Sequence, residues 1–282
     1  MAPRRLFACF GRGGGASSAT GGASPEANAT ADLTAEEQRR MGPVLVELFV
    51  SQGCAASPEA EAVVAALARG GQEDNDEEGV GVGLGVVALA FHVEYWDYRG
   101  WKDPFGSSMW TVRQKAFVEA LRLDTLFTPQ AVVHGRAHCL GADRDAIISA
   151  VQSAPRFPSP TMQATFQRPS PETLQVSFSG QLRTKVDSHG ADVMVALYEN
   201  GLVTDCTRGE NKGRVLPNDH VVRHLQKLLS VKDVSAKKNL SGSVQFALWD
   251  GFNPTKCGLV LFVQNSSLQT FGVQHILLPE TL

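Results

Sequence analysis

Cysteine is scarce in this 282-residue chain: Cys9, Cys54, Cys139, Cys206 and Cys257 are few, odd in number and widely spaced. That is not the dense framework of a small secreted disulfide scaffold, so a reducing compartment is expected. Long apolar runs are missing too. None approaches the roughly 20 residues that cross a bilayer, and the longest, around residues 86–93, is interrupted by His92. An excess of one charge is also lacking, since 26 Lys and Arg face 29 Asp and Glu and no basic stripe occurs. This argues against a nucleic-acid or anionic-membrane surface. The expectation is a soluble protein, not integral to a membrane, with no nucleic-acid partner. The first residues hold too short an apolar stretch for a secretory signal, which favours a cytoplasmic location. A basic, Ser/Gly/Ala-rich stretch that is free of acids up to Glu26 keeps a short organellar transit segment as the alternative. No set of His, Cys and carboxylates has metal-ligand spacing, so neither a metal nor a bound cofactor is expected.

What is present is enough apolar residue, 43% of the chain, for two domains with a core each. Residues 1–42 lack hydrophobic periodicity and read as a disordered tail. Within residues 43–155 a β-branched run from Val44 to Val50 reads as a buried strand. A helix starts at Ser57 and Pro58 and ends near Gly70, and a second strand follows over residues 86–93. The acidic stretch at residues 72–78 reads as the loop between them. A second helix begins after Gly106 and runs through Arg122. Two short strands then flank a turn at His134 and Gly135, and Asp143 caps a last helix. The order β-α-β-α-β-β-α is the thioredoxin arrangement, an α/β domain. Prolines 155, 158, 160, 169 and 171 mark a boundary. Residues 160–282 read as a small antiparallel β-sandwich with one inserted helix near residues 219–229.

Cys54 stands between a buried strand and a helix start, where unpaired N–H groups and the helix dipole favour a thiolate. Thr128-Pro129 enters a strand after the second helix, where a cis-proline would face Cys54 and leave backbone groups for an extended substrate chain. Glu47 is a carboxylate in an apolar strand, seven residues before Cys54. It is either a buried proton acceptor near the thiol or a side chain held in a salt bridge. The aromatic-rich stretch from Phe91 to Phe105, with Trp96 and Trp101, either walls a groove beside Cys54 or folds over the core. Cys139, flanked by His134 and His138, reads as packing. The glycine-punctuated segment Arg208-Gly209-Glu210-Asn211-Lys212-Gly213-Arg214 reads as a turn, because it lacks the strand-loop-helix context of a phosphate cradle.

Taken together, Glu47-Leu48-Phe49-Val50-Ser51-Gln52-Gly53-Cys54, His92-Val93-Glu94-Tyr95-Trp96-Asp97-Tyr98, Gly100-Trp101-Lys102-Asp103-Pro104-Phe105, Thr128-Pro129-Gln130 and Arg208-Gly209-Glu210-Asn211 resemble a known family. It is the thioredoxin-like family labelled domain of unknown function 1223, and the resemblance covers roughly residues 43–280. Many bacterial relatives carry a second cysteine where this chain has Ser57. A Cys-x-x-Cys pair can expel a mixed disulfide through its resolving thiol, whereas Ser57 can at most donate a hydrogen bond to Cys54. The resemblance therefore implies a monothiol enzyme. In that reading Cys54, Ser57 and Glu47 are catalytic and Thr128, Pro129, Trp96 and Trp101 bind substrate. Protein or peptide thiols are the partners, with glutathione as co-substrate. The alternative is a redox-inactive module that binds peptides in the same groove. The sequence leaves the oligomeric state open.

Overall fold

The computed structural model describes residues 41–70 and 85–282. The tail assigned to residues 1–42 lies outside these apart from its last two residues, as does the acidic loop at 72–78. Strand β1 (Val44–Val50) is buried along its whole length and pairs in parallel with β2 (Val86–His92), from Val44↔Val86 to Val50↔His92. Helix α1 (Ser57–Gly70) connects to the segment between them. After β2 come a 3-10 turn (Asp97–Arg99) and helix α2 (Ser108–Ala120), whose cap Ser107 accepts from the Met109 N–H. The hairpin β3 (Gln130–Val133) and β4 (Ala137–Leu140) lies antiparallel beside β1, and helix α3 (Arg144–Ser153) is capped by Asp143.

The chain then becomes almost wholly β. Strands β5 (Thr161–Ser170), β6 (Thr173–Gln181), β7 (Ala191–Glu199), β8 (Leu202–Asp205) and β9 (Val215–Asn218) lead to β10 (Val221–Val231), β11 (Asn239–Ala247), β12 (Cys257–Gln264) and β13 (Thr270–Leu277). One mixed sheet takes strands from both halves of the sequence, in the order β13-β12-β7-β10-β2-β1-β3-β4. The halves meet where β10 runs parallel to β2 through the single pair Val221↔Ala90, with the Ala90 N–H donating to the His220 carbonyl at 2.8 Å.

This overturns the expected α/β domain followed by a small sandwich. The described chain is mostly β, built on one eight-stranded mixed sheet, with a three-stranded sheet (β11-β6-β5) and a two-stranded one (β8-β9) beside it. The helix expected near residues 219–229 is β10. Its pairing with β7 has register shifts between Val222 and His224 and again between Lys227 and Leu229. Each shift breaks the period-two alternation. Val222, Leu225 and Leu229 consequently recur at helical spacing on what is a bulged strand. Strand β5 was hidden by the prolines around it; Pro169 falls near its end, inside the irregular stretch between Gln167 and Ser170 where its register with β6 shifts.

Three apolar layers hold the sheet. Val44, Val46, Leu48 and Val50 face α1 and α3 through Ala60, Val64, Leu67, Ile147 and Val151. On the opposite face Leu45, Phe49, Leu89 and Phe91 meet Trp110 and Phe117 of α2. That layer continues without a break into Ala196, Tyr198, Val260 and Phe262 of the later strands. The alternate residues of β7 and β12, Val193, Val195, Leu197, Leu259, Leu261 and Val263, pack against Leu174, Val176, Phe178, Val244 and Phe246 of the three-stranded sheet. Among the described residues, no helix is long and apolar enough to cross a membrane.

Candidate functional site

Where β1 ends, the chain turns through residues 51–56 before α1 begins, and side chains from far along the sequence take up its backbone groups. The Ser51 N–H donates to Ser57 Oγ (3.1 Å), the Gly53 N–H to Ser51 Oγ (3.2 Å) and the Cys54 N–H to the Ser51 carbonyl (3.0 Å). The Gln52 N–H donates to Asp103 Oδ2 at 2.7 Å and the Ala55 N–H to Glu210 Oε2 at 3.2 Å. Cys54 is 5% exposed between this turn and exposed Ala55 and Ala56. Its sulfur lies 3.7 Å from the Thr128 carbonyl oxygen, and the Thr128–Pro129 bond is cis. A thiol is a weak donor, so the contact orients the sulfur more than it binds it.

Of the other residues singled out, Ser57 is fully buried and its hydroxyl oxygen accepts from the Ser51 N–H. Trp96 packs on the Cys54 turn: a Cβ on Gly53 would come within 3.0 Å of Trp96 Cβ. Trp101 donates its indole N–H to Gln52 Oε1 at 3.0 Å, so it braces the turn. Glu47, 1% exposed, is gripped by Arg113 of α2, whose Nε reaches Oε2 at 2.5 Å and Nη2 reaches Oε1 at 2.9 Å. Both carboxylate oxygens are thus engaged by a guanidinium. Cys139 sits on β4 opposite Ala131, with burial and then Asp143 pushing its thiol up to about 11. Among the described residues Cys54, Cys139, Cys206 and Cys257 are all free thiols.

Several residues that build the site escaped the sequence reading. Tyr95 donates to Gln114 Oε1 at 3.2 Å and lies close enough to Cys54 and Thr128 to feel both. Burial pushes its phenol up to about 12, the Thr128 and Gln114 hydrogen bonds oppose that, and Cys54 adds to it. Asn211, 1% exposed, spreads its amide hydrogens over two carbonyls of the turn, Gln52 O (2.8 Å) and Cys54 O (3.0 Å), while its Oδ1 accepts from Arg214 at 2.8 Å. Gly209 lets this loop come close, at φ +73° with Trp101 Cβ only 2.8 Å from where a Cβ would stand. The Arg-Gly-Glu-Asn piece is therefore a clamp on the cysteine turn, and its place among the family-like motifs was the one signal for it in the sequence.

Beneath the turn lies a buried ionic cluster. His92 Nδ1 is 2.8 Å from Asp103 Oδ2 and its Nε2 is 3.3 Å from Glu61 Oε1. Burial alone would lower the His92 pKa, but Asp103 and Glu61 outweigh it and raise the value to about 10. Burial likewise works to raise Asp103, and the imidazolium overcomes it and holds that carboxyl below its ordinary value. Asn218 Nδ2 donates to Glu61 Oε1 (2.9 Å), and Gln52 Nε2 donates to Asn218 Oδ1 (2.7 Å) and to Thr204 (3.0 Å). Gln52 is accordingly the hub that ties the cysteine turn to β8 and β9. Among the described residues no group of three or more His, Cys, Asp or Glu is arranged to hold a metal ion.

The motifs that meet at this turn belong to one family: its model, described as protein of unknown function (DUF1223), matches residues 45–264. The chain belongs to the DUF1223 family. Among solved structures, the DUF1223 chain is similar to a protein of Agrobacterium tumefaciens. The two share 24% identity over 86% of this chain and 97% of the other, with a TM-score of 0.60. It is also similar to HBP35 of Porphyromonas gingivalis, at 14% identity over 84% and 76% of the two chains, with a TM-score of 0.56. At such identities the likeness speaks to the fold alone. No curated protein matches the chain.

Proposed function

We propose that this DUF1223 protein performs monothiol thiol-disulfide exchange through Cys54, with glutathione as co-substrate. The observation that carries the reading is the sulfur of Cys54 held 3.7 Å from the Thr128 carbonyl, at a turn whose next two residues are exposed. In the first step the Cys54 thiolate attacks the glutathione sulfur of a glutathionylated protein or peptide thiol. A Cys54–glutathione disulfide forms and the substrate sulfur leaves as a thiolate, which takes a proton from water. A second glutathione thiolate then attacks the bound glutathione sulfur, releasing oxidised glutathione and returning Cys54 to its thiolate. The steps require a reducing compartment that supplies glutathione, such as the cytosol. The Thr128 carbonyl lies against the sulfur and Trp96 lies against Gly53 of the same turn, and in this reading Thr128, Pro129 and Trp96 carry the substrate chain, whereas Trp101, Ser57 and Glu47 support the scaffold through Gln52, Ser51 and Arg113.

The test is glutathione-dependent release of a peptide from a glutathionylated peptide, followed as oxidised glutathione formed. Wild type should turn over and Cys54→Ser should fall to the uncatalysed rate. Equal rates for the two proteins reject the reading.

A second reading is favoured by the near-complete burial of Cys54 and by the engagement of Ser57 with Ser51. In it the groove beside Thr128 and Trp96 holds an extended peptide without chemistry. Recovery of the same partners by wild type and by Cys54→Ala under reducing conditions would select that reading.

A further inference from the structure

Two neighbours in one loop hold the cysteine turn in very different ways. Asn211 is buried and bridges two carbonyls of the turn with donors that have no other outlet. Glu210, beside it, is at the surface. One carboxylate oxygen accepts from the Ala55 N–H at 3.2 Å, and the other pairs with Arg99 Nη1 at 2.5 Å, with side-chain exposures of 32% and 43% for the acid and the base. Arg99 in turn lies over the rings of Trp96 and Tyr98, its guanidinium carbon 4.9 and 5.5 Å from their centroids. An ion pair so exposed is weak and is screened by salt. The clamp therefore has a firm root at Asn211 and a loose end at Glu210.

That loose end sits where it matters for a thiol. The Ala55 N–H is the first backbone donor after Cys54, and the Glu210 carboxylate that accepts from it occupies that donor and places an acid on the residue next to the cysteine. We propose that Glu210 and Arg99 form a latch that keeps Cys54 slow to react while closed, and that the thiol speeds up when the carboxylate leaves the Ala55 N–H. The inference rests on Cys54 being the reacting group and adds how that group is regulated. The root at Asn211 stays in place, so opening moves one side chain and does not unfold the loop. Anything that takes Arg99 away from Glu210, including an anionic substrate chain or plain ionic strength, opens it.

The test is the rate of Cys54 alkylation by iodoacetamide, read by mass spectrometry on the Cys54 peptide so that the other cysteines do not interfere. A neutral reagent keeps the salt dependence a property of the protein. Glu210→Gln keeps the shape and removes the charge, and it should raise the rate about fivefold at low salt, the size of a helix-end charge effect. Wild type should accelerate between low and high potassium chloride toward the variant's rate, while Glu210→Gln stays flat. Glu210→Ala should follow Glu210→Gln. Equal rates in wild type and both variants, or a wild-type rate that salt leaves unchanged, overturn the latch. The outcomes separate it from the exchange reaction. Faster alkylation of the variants without glutathione turnover supports the latch and rejects the exchange; Cys54-dependent turnover with equal alkylation rates does the reverse.

Discussion

Asn211 shows how much of the site depends on a single amide. With alanine there, the Gln52 and Cys54 carbonyls lose their donor inside a buried turn, which should cost about 1–3 kcal/mol in a urea-unfolding measurement. Aspartate should be worse than alanine, because an ionised carboxylate donates nothing and directs its lone pairs at two carbonyls. That the Cys54 turn and the Thr128-Pro129 step would face each other could be read from the sequence, since a cysteine at a strand-helix turn and a proline entering the facing strand are local patterns. Glu210 and Asn211 stood out only as part of a family-like motif, which did not say what they touch. Each meets the turn across some 155 residues of chain, and a glycine-rich polar segment has no periodicity to say what it touches. Tyr95 stood inside an aromatic stretch in which sequence alone gives no reason to prefer one ring to another.

At the level of strands and helices, the sequence was most readable where pattern and neighbourhood agree. The run at Val44–Val50 and the capped helices α2 and α3 formed because alternation, periodicity and capping residues all favour one outcome. Strand β10 went the other way, since its bulges rewrote the alternation that would have betrayed it. The centre of the later strands offers a direct test of cross-strand packing. Gly258 of β12 lies opposite Tyr198 of β7, and a Cβ there would fall 2.4 Å from the phenol oxygen, which hydrogen-bonds His275 at 2.6 Å. Gly258→Ala should therefore push the ring out of the layer and lower stability by about 1–3 kcal/mol, read as a lower melting temperature.

Across the whole molecule, the histidines set opposing pH limits. His92 is raised to about 10 in the fold against an unfolded value near 6.5. Its contribution is full below that unfolded value and is lost as the pH climbs toward 10. Burial, with nearby arginines, lowers His134 to about 3; for His220, lowered to about 4, burial leads, Asp219 opposes it, and His275 and Arg69 assist. These two are held neutral, so stability falls as the pH drops below the unfolded value and the unfolded chain takes up protons that the fold refuses. Urea midpoints across pH 4 to 10 should peak near neutrality, and His92→Gln should flatten the alkaline side while leaving the acid side sloped. A wild-type profile that rises steadily from pH 7 to 10 would contradict this assignment.

The grip of residues 210 and 211 on a turn at residue 54 also bears on how the protein is made. On a ribosome the strand and helix around the cysteine emerge long before the loop that fastens them. For that interval the backbone groups of the turn lack those partners. The turn around the cysteine thus gains its last polar ties, from Asn218 to Glu61 and Gln52, only once synthesis has passed the ninth strand, so a turn in the chain's first half is finished by its second.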